Sequence, residues 1–305
     1  MSDLRDLPGQ DILLAVDGSE HSLAAAQLLC DLSMSAPHEI IAVAVLLPRD
    51  AANHAALETA LEQTRDLLQG KGINVETELL VGSPATMLTE YAEAHSPDLI
   101  VLGAKGLRAT LGILLGGVVQ QVVEYGTWPV LVVRAPYRGL HRIALVTDGS
   151  VYSQMALEYL DIFPLPASAS IQVLHVLPPL PVPVHIMHSW PVGAEAVTSL
   201  ASYESDKLLS KQMEDEEQAG KTLLADALIT LKERGIEASS VLLRGDAATE
   251  IIEYVKSHQI DLLVAGSRGL SQMKRLMLGS LSRKLVHYAG CSVLIVKGGL
   301  DDTHG

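Results

Sequence analysis

The chain is poor in aromatic residues, cysteines and positive charge, and each shortage argues against a class of protein. Phe, Trp and Tyr make up 4% of its 305 residues although 48% are apolar, so the core must consist of Val, Leu, Ile and Ala, as in buried parallel strands. Cys30 and Cys291 lie far apart and in no zinc-ligand spacing, which argues against a disulfide or metal framework and favours a reducing compartment. The formal charge of −14 disfavours a broad nucleic-acid surface, although a small anion could bind locally.

Long apolar runs are also lacking. Residues 1–6 have neither the basic start nor the apolar core of a signal peptide, and no run approaches the roughly 20 residues that a membrane span needs. The most apolar stretch, residues 111–123, contains three glycines and two glutamines, which predicts a loop followed by a buried helix. We therefore expect a cytoplasmic protein without a membrane partner.

The sequence contains one unit written twice. Asp17 and Asp148 each stand in an Asp-Gly-Ser segment that ends an apolar run. Farther along, Gly103 matches Gly266, and the separation between the two copies is wider there than at the aspartates. The widening predicts an insertion of about 32 residues between the second and third strands of the second copy.

Strands and helices alternate within each copy. In the first copy the patterns predict strands at residues 12–16, 40–46, 74–81, 99–102 and 129–134, and helices at 22–32, 55–69, 84–95 and 118–125. Such alternation is typical of a parallel sheet covered by helices on both faces, with right-handed crossovers. We predict an α/β protein of two tandem doubly wound, Rossmann-like domains, at residues 1–136 and 137–305.

The insertion combines a proline-rich stretch at 178–183 with a helical pattern from about 194 to 234. The acidic run at 214–217 lies on that helix and is typical of a solvated face. His185, Met187 and His188 suggest metal ligands, but the spacing supplies no third ligand. We interpret this segment as a flexible lid and predict no metal site.

A glycine pattern recurs where a strand gives way to a helix. The second copy has Gly-Ser-Arg-Gly at 266–269, nine further residues, then Gly279 and Ser280; the first copy has Gly-Ala-Lys-Gly at 103–106 and Gly116. Such turns could present backbone N–H groups to an anion, with the helix N-terminus adding its dipole. The alternative is an ordinary strand-to-helix turn, which the repetition in register disfavours.

Polar residues at these turns each have two candidate roles. Ser280 could cap the following helix or donate its hydroxyl to a phosphate oxygen. Asp17 and Asp148 could accept hydrogen bonds from a ribose or base, or cap the next helix. No Ser/His/Asp or Cys/His arrangement follows from the spacing, so the sequence identifies no catalytic residue.

Together, Asp-Gly-Ser after the first strand, His-Val at 175–176 and the Gly-x-x-Gly-x9-Gly-Ser pattern resemble the universal stress protein family in its tandem two-domain form. The resemblance covers nearly all of both copies except the insertion. It implies five-stranded parallel sheets in the order 3-2-1-4-5, with ATP at the glycine motif. Carried over residue by residue, it assigns nucleotide contacts to Asp148, Val176, Gly266, Gly269, Gly279 and Ser280 in the second copy, and to Asp17, Val45, Gly103, Gly106 and Gly116 in the first.

The first copy departs from the family pattern at Gly117, which lacks the hydroxyl of Ser280. If that hydroxyl bonds a phosphate, its loss costs about 1 kcal/mol, or about fivefold in affinity. Basic residues of the glycine loops either contact the triphosphate or are merely solvated: Arg268, Lys274 and Arg275 in the second copy, Lys105 and Arg108 in the first. We therefore expect ATP mainly in the second domain, with Mg²⁺ as its reasonable companion.

The resemblance also implies that the domains pair through their last strands, where residues 130–133 and 293–296 are apolar enough to pair edge to edge. It implies a stress-response sensor or regulator with at most slow ATP hydrolysis. A homodimer and a further, unknown protein partner are compatible with this role. Two alternatives stay open: an enzyme of a related α/β group that cleaves between the α- and β-phosphates, and a nucleotide-free scaffold that binds a protein or small molecule.

Overall fold

The computed structural model describes residues 11–33, 39–107, 114–180, 198–270 and 278–298. In the first half it has the predicted alternation, with a short 3-10 helix at Pro48–Asn53 that the periodicity does not predict. The elements are β1 (Ile12–Val16), α1 (Glu20–Asp31), β2 (Ile40–Leu46), α2 (His54–Gln69), β3 (Val75–Val81), α3 (Pro84–His95), β4 (Leu99–Gly103), α4 (Gly117–Tyr125) and β5 (Val130–Val133).

The second half repeats this order with one enlarged helix. Its elements are β6 (Arg142–Val146), α5 (Val151–Ile162), β7 (Ser170–Leu177), α6 (Thr198–Glu233), β8 (Ala238–Arg244), α7 (Ala247–Ser257), β9 (Leu262–Gly266), α8 (Ser280–Tyr288) and β10 (Ser292–Val296). Helix α6 has 36 residues where α2 has 16, which confirms the helical part of the predicted insertion. Several predictions fall outside the described residues: the lid interpretation of His185, Met187 and His188, the end of the proline-rich stretch, and the basic residues Arg108, Lys274 and Arg275.

The strands of the described residues form one continuous sheet in the order β3-β2-β1-β4-β5-β10-β9-β6-β7-β8. Within each half the neighbouring strands are parallel, which confirms the 3-2-1-4-5 order. The two last strands pair antiparallel, as predicted, with Val132 opposite Val293 and Val130 opposite Ile295. Leu131 pairs with Leu294, which is its own counterpart in the second copy, so a pseudo-twofold axis passes between them.

Apolar side chains bury both faces of this sheet. Leu131 and Leu294 belong to the core on one face, whereas their chain neighbours Val130 and Val293 belong to the core on the other, because successive side chains of a strand point to opposite faces. Each core draws residues from both halves. Packing is therefore continuous across the β5–β10 junction, and it fixes the positions of the strand ends where the glycine turns lie.

Helix α1 begins at Glu20, two residues before the predicted start, because Ser19 caps it: its hydroxyl accepts a hydrogen bond from the N–H of Ser22 at 3.1 Å. The residues that the structure describes include no helix with both the length and the apolarity to cross a membrane.

Candidate functional site

A cleft of about 190 Å³ in the second half is lined by six of the seven predicted site residues of that half: Asp148, Gly266, Arg268, Gly269, Gly279 and Ser280. The cleft lies at the carboxyl ends of β6 and β9. The strand order of an α/β sheet reverses between these two strands, which is where such sheets bind ligands. Val176, near the end of the neighbouring β7, is half-buried and is not among the described lining residues of the cleft.

The Asp148 carboxylate joins two loops of this cleft. Its Oδ1 accepts a hydrogen bond from the N–H of Ser150 at 3.0 Å, and its Oδ2 accepts one from the N–H of Leu270 at 3.1 Å. The cap of α5 is instead the Ser150 hydroxyl, which accepts from the N–H of Ser153 at 3.2 Å. Of the two candidate roles of Asp148, the helix cap is therefore excluded. The two amides hold a charged oxygen pair at the cleft wall.

Both glycines of the segment 266–269 are required by close packing. A Cβ on Gly266 would lie 2.4 Å from the carbonyl oxygen of Tyr152, and a Cβ on Gly269 would lie 2.5 Å from Oδ2 of Asp148. Neither glycine has a positive φ. The sequence pattern indicates turns that present backbone N–H groups to an anion; the structure adds that glycine lets the loop contact the first turn of α5 and the Asp148 carboxylate.

The N-terminus of α8 borders the cleft. Gly279 is its N-cap residue and donates its N–H to the carbonyl of Ser267 at 2.8 Å. Within the described residues no side chain caps α8, so the amides of its first turn and the positive end of its dipole are available to an anion. Ser280 is the first helical residue and is exposed, whereas Gly279 is the N-cap residue, so the cap is excluded from the two candidate roles of Ser280. Ser282, which the pattern missed, donates its hydroxyl to the carbonyl of Gly266 at 2.8 Å.

Arg268 is the one cation among the described residues that line the cleft, and Lys297 lies near it but outside that lining. Arg268 donates from Nη1 to the Tyr152 hydroxyl at 2.9 Å, and its guanidinium carbon lies 5.2 Å from the centroid of the Tyr152 ring. Lys297, just after β10, donates from Nζ to the carbonyls of Val123 and Gly126. Burial, followed by the nearby charge of Arg268, lowers the pKa of Lys297 to about 8. In a protein of formal charge −14, the Arg268 guanidinium gives the cleft a local preference for anions.

In the first half Asp17 is held as Asp148 is. Its Oδ1 accepts from the N–H of Ser19 at 3.0 Å and its Oδ2 accepts from the N–H of Leu107 at 3.1 Å. Because Ser19 caps α1, the helix-cap alternative is excluded for Asp17 as well. A Cβ on Gly106 would lie 2.4 Å from Oδ2 of Asp17, and one on Gly103 would lie 2.6 Å from the backbone N of Ser22.

The remaining predicted residues of the first half also occupy matching positions. Gly116 is the N-cap residue of α4 and donates its N–H to the carbonyl of Ala104 at 2.8 Å. Gly117 begins α4 and is exposed, and a Cβ placed on it would have no neighbour within 4 Å among the described residues. Val45, near the end of β2, is half-buried as Val176 is.

The polar groups behind the first glycine loop differ from those of the second half. His21 stands where the second half has Tyr152, and its Nδ1 accepts the N–H of Ala135 at 2.9 Å. Burial, followed by the charge of Lys105, lowers the pKa of His21, which favours the neutral ring. Arg134 stands where the second half has Lys297, and it donates from Nη2 to the carbonyl of Val286 at 2.7 Å.

A second cavity, of about 370 Å³, lies in the first half at the amino ends of β1, β2 and β3. Its lining includes the carboxylates Asp11, Glu39, Glu76 and Glu78. Although it is larger than the cleft of Asp148, four carboxylates disfavour a phosphate ligand. Across the described ranges, no group of three or more His, Cys, Asp or Glu side chains could hold a metal ion.

The chain matches known proteins over both halves. Residues 9–134 and 139–297 each match the model of the universal stress protein family. A universal stress protein of Mycolicibacterium smegmatis is 26% identical over 311 residues, which cover 94% of this chain and 96% of that protein. Universal stress protein YxiE of Bacillus subtilis is 28% identical over 162 residues, which cover 52% of this chain and 99% of YxiE.

Solved structures show the same fold. The crystal structure of a universal stress protein from Archaeoglobus fulgidus has a TM-score of 0.65 at 18% identity, covering 96% of this chain and 100% of that chain. This likeness extends across both halves, and the family model matches twice in tandem. The chain therefore belongs to the universal stress protein family, as a member that carries two copies of the family's domain.

Proposed function

We propose that the second half binds ATP in the cleft of Asp148, Arg268 and Ser280, and that occupancy of this cleft is how the protein senses or regulates a stress response. One observation carries the proposal: the N-terminus of α8, which no described side chain caps, meets an exposed hydroxyl and a guanidinium group in one cleft. Helix N-termini of this kind bind phosphate groups.

The size of the cleft suggests which part of the nucleotide it takes. Whole small-molecule sites usually measure roughly 300–1,000 Å³, whereas this cleft measures about 190 Å³. In our proposal the phosphates occupy the cleft, and the nucleoside extends along the strand ends toward Val176. The Asp148 carboxylate, already oriented by two amides, then accepts hydrogen bonds from the ribose.

Mg²⁺ would arrive with the triphosphate. It prefers oxygen ligands and usually keeps several waters, so phosphate oxygens supply much of its coordination.

A charge placed at the first residue of α8 tests the proposal. The substitution Ser280→Asp puts a carboxylate where phosphate should bind, while an acidic residue in the first turn favours the helix, so the fold should be retained. Gly117→Asp is the matched control in the first half, because a Cβ there meets nothing within 4 Å among the described residues. Gly266→Asp is a poorer choice, since its Cβ would lie 2.4 Å from a backbone oxygen.

We expect calorimetry with Mg-ATP to detect binding to the wild type and to Gly117→Asp, and at least a tenfold loss of affinity in Ser280→Asp. Mass spectrometry of denatured wild-type protein should identify any adenine nucleotide that copurifies. Unchanged affinity in Ser280→Asp would exclude the cleft of Asp148 as the ATP site. Absence of ATP binding in the wild type would instead favour the nucleotide-free scaffold, and accumulation of AMP with pyrophosphate would favour the enzyme.

A further inference from the structure

Tyr152 is fixed against the second glycine loop by its own backbone. It is the second residue of α5, and its carbonyl oxygen lies so close to Gly266 that an added Cβ would approach it to 2.4 Å. The next residue, Ser153, lines the cleft and donates its hydroxyl to the carbonyl of Ser150 at 2.9 Å. The Tyr152 ring therefore projects from a rigid point beside the cleft.

Two contacts join Tyr152 to Arg268. The hydroxyl accepts a hydrogen bond from Nη1 at 2.9 Å, and the guanidinium carbon lies 5.2 Å from the ring centroid. A guanidinium is planar and carries its N–H donors in a fixed fork. The hydrogen bond and the cation–π contact with the Tyr152 ring therefore restrict both the position and the orientation of the Arg268 guanidinium, which lines the cleft.

This restriction matters for binding because a long side chain loses rotamer freedom when it contacts a ligand. Ordering such a side chain costs about 0.5–1.5 kcal/mol of binding free energy. An arginine that is already oriented avoids part of that cost. Only ligands that carry an acceptor group for the guanidinium gain this binding free energy.

The first half lacks this pair of residues. His21 and Lys105 stand in place of Tyr152 and Arg268, and the Nδ1 of His21 accepts the N–H of Ala135. Burial, followed by the charge of Lys105, lowers the pKa of His21, so the imidazole and the ammonium do not stabilise each other's charged forms. The duplicated loop can therefore form without an aromatic hydroxyl that orients its cation.

We infer that Tyr152 is a positioning residue that orients Arg268 toward the phosphates of the nucleotide, so that the cleft of Asp148 selects ATP over uncharged adenosine. The inference rests on the proposed function and names what gives that cleft its preference for a phosphorylated ligand.

The test measures the affinities of the full chain for Mg-ATP and for adenosine by calorimetry. Tyr152→Ala should weaken ATP binding about fivefold to tenfold, because the ligand must then order the Arg268 side chain itself. Adenosine affinity should change less than twofold. Tyr152→Phe, which keeps the ring, should lose about twofold for ATP, and Tyr152→His should reproduce the weaker orientation of the first half. The exposed Tyr288 provides the control Tyr288→Phe.

A thermodynamic cycle with Arg268→Gln separates positioning from general structural damage. In the Arg268→Gln background, Tyr152→Ala should cause no further loss of ATP affinity, because the group it orients is gone. Equal losses for ATP and adenosine, or a full loss in that background, would overturn the inference while leaving the Ser280→Asp result intact. A wild type that binds no ATP would overturn the inference and the proposed function together. If Tyr152→Ala does not fold, Tyr152→Phe and Tyr152→His give the same comparison.

Discussion

In the two halves, the turns that hold Asp17 and Asp148 and the glycine loops beside them have the same backbone arrangement. We call this arrangement the frame, and it carries different polar groups in each half. In each half an aspartate accepts one N–H at 3.0 Å from the turn after the first strand and one at 3.1 Å from the glycine loop. Glycine is needed beside each aspartate because a Cβ would collide with its carboxylate. The comparison teaches that packing sets the frame, whereas exposed positions such as Ser280 and Gly117 distinguish one half from the other.

A second difference lies at the junction of the halves. Each last strand is followed by a cation that donates to carbonyls at the end of the other half's last helix: Arg134 to Val286 and His287, and Lys297 to Val123 and Gly126. The helix dipole favours a cation at a C-terminus, but burial outweighs this for Lys297 and lowers its pKa to about 8. The two contacts are related by the pseudo-twofold axis, yet only the lysine can lose its charge near neutral pH.

Because the two halves share this frame, we expect equal losses of stability when its glycines are replaced, and these losses are the largest effect that we predict. Gly266→Ala and Gly103→Ala should each lower the free energy of unfolding by about 3 kcal/mol, because the new Cβ would lie within 2.6 Å of backbone atoms. Gly117→Ala is the control and should be neutral. Urea denaturation measures all three. A loss confined to one half would contradict the common frame.

The junction predicts a pH dependence that comes from Lys297. Its pKa of about 8 lies below the ordinary 10.5, so the unfolded chain binds more protons between these pH values. The contribution of Lys297 to stability should therefore rise from pH 8 to pH 10.5, by about 1–2 kcal/mol after allowance for partial exposure. Lys297→Arg, which copies the first half, should remove that rise. The exposed Lys284 gives the control Lys284→Arg, and a rise that survives in Lys297→Arg would exclude Lys297 as its source.

The smallest predicted effect comes from exchanging the first residues of α4 and α8, Gly117 and Ser280, between the two halves. Gly117→Ser should strengthen ATP binding in the first half about fivefold, and Ser280→Gly should weaken binding in the second half by the same factor, since one hydroxyl bond to phosphate is worth about 1 kcal/mol. Calorimetric stoichiometry and affinity of the two variants would show both changes. If neither variant alters affinity, the hydroxyl does not explain the difference between the halves.

Local pattern predicted most of the fold. The bounds of α3 agree with the prediction at both ends and those of β4 differ by one residue, because helix and strand periodicity arise from neighbouring residues. The strand order came from the family resemblance, whose motifs stand at these strand ends. The candidate site was predicted less completely. Ser282 and Tyr152 were missed, since nothing in their own surroundings distinguishes them from other residues of a first helical turn.

The sequence by itself determined that the chain is a duplicated α/β protein with a complete glycine motif in its second half, because repeats, glycines and apolar periodicity are visible along the chain. Only the tertiary structure decided what the motif's residues contact. Asp148 and Leu270 are 122 residues apart, and Arg268 and Tyr152 are 116 apart. Such contacts depend on how β6, β9 and α5 pack together, and no short stretch of sequence contains that information.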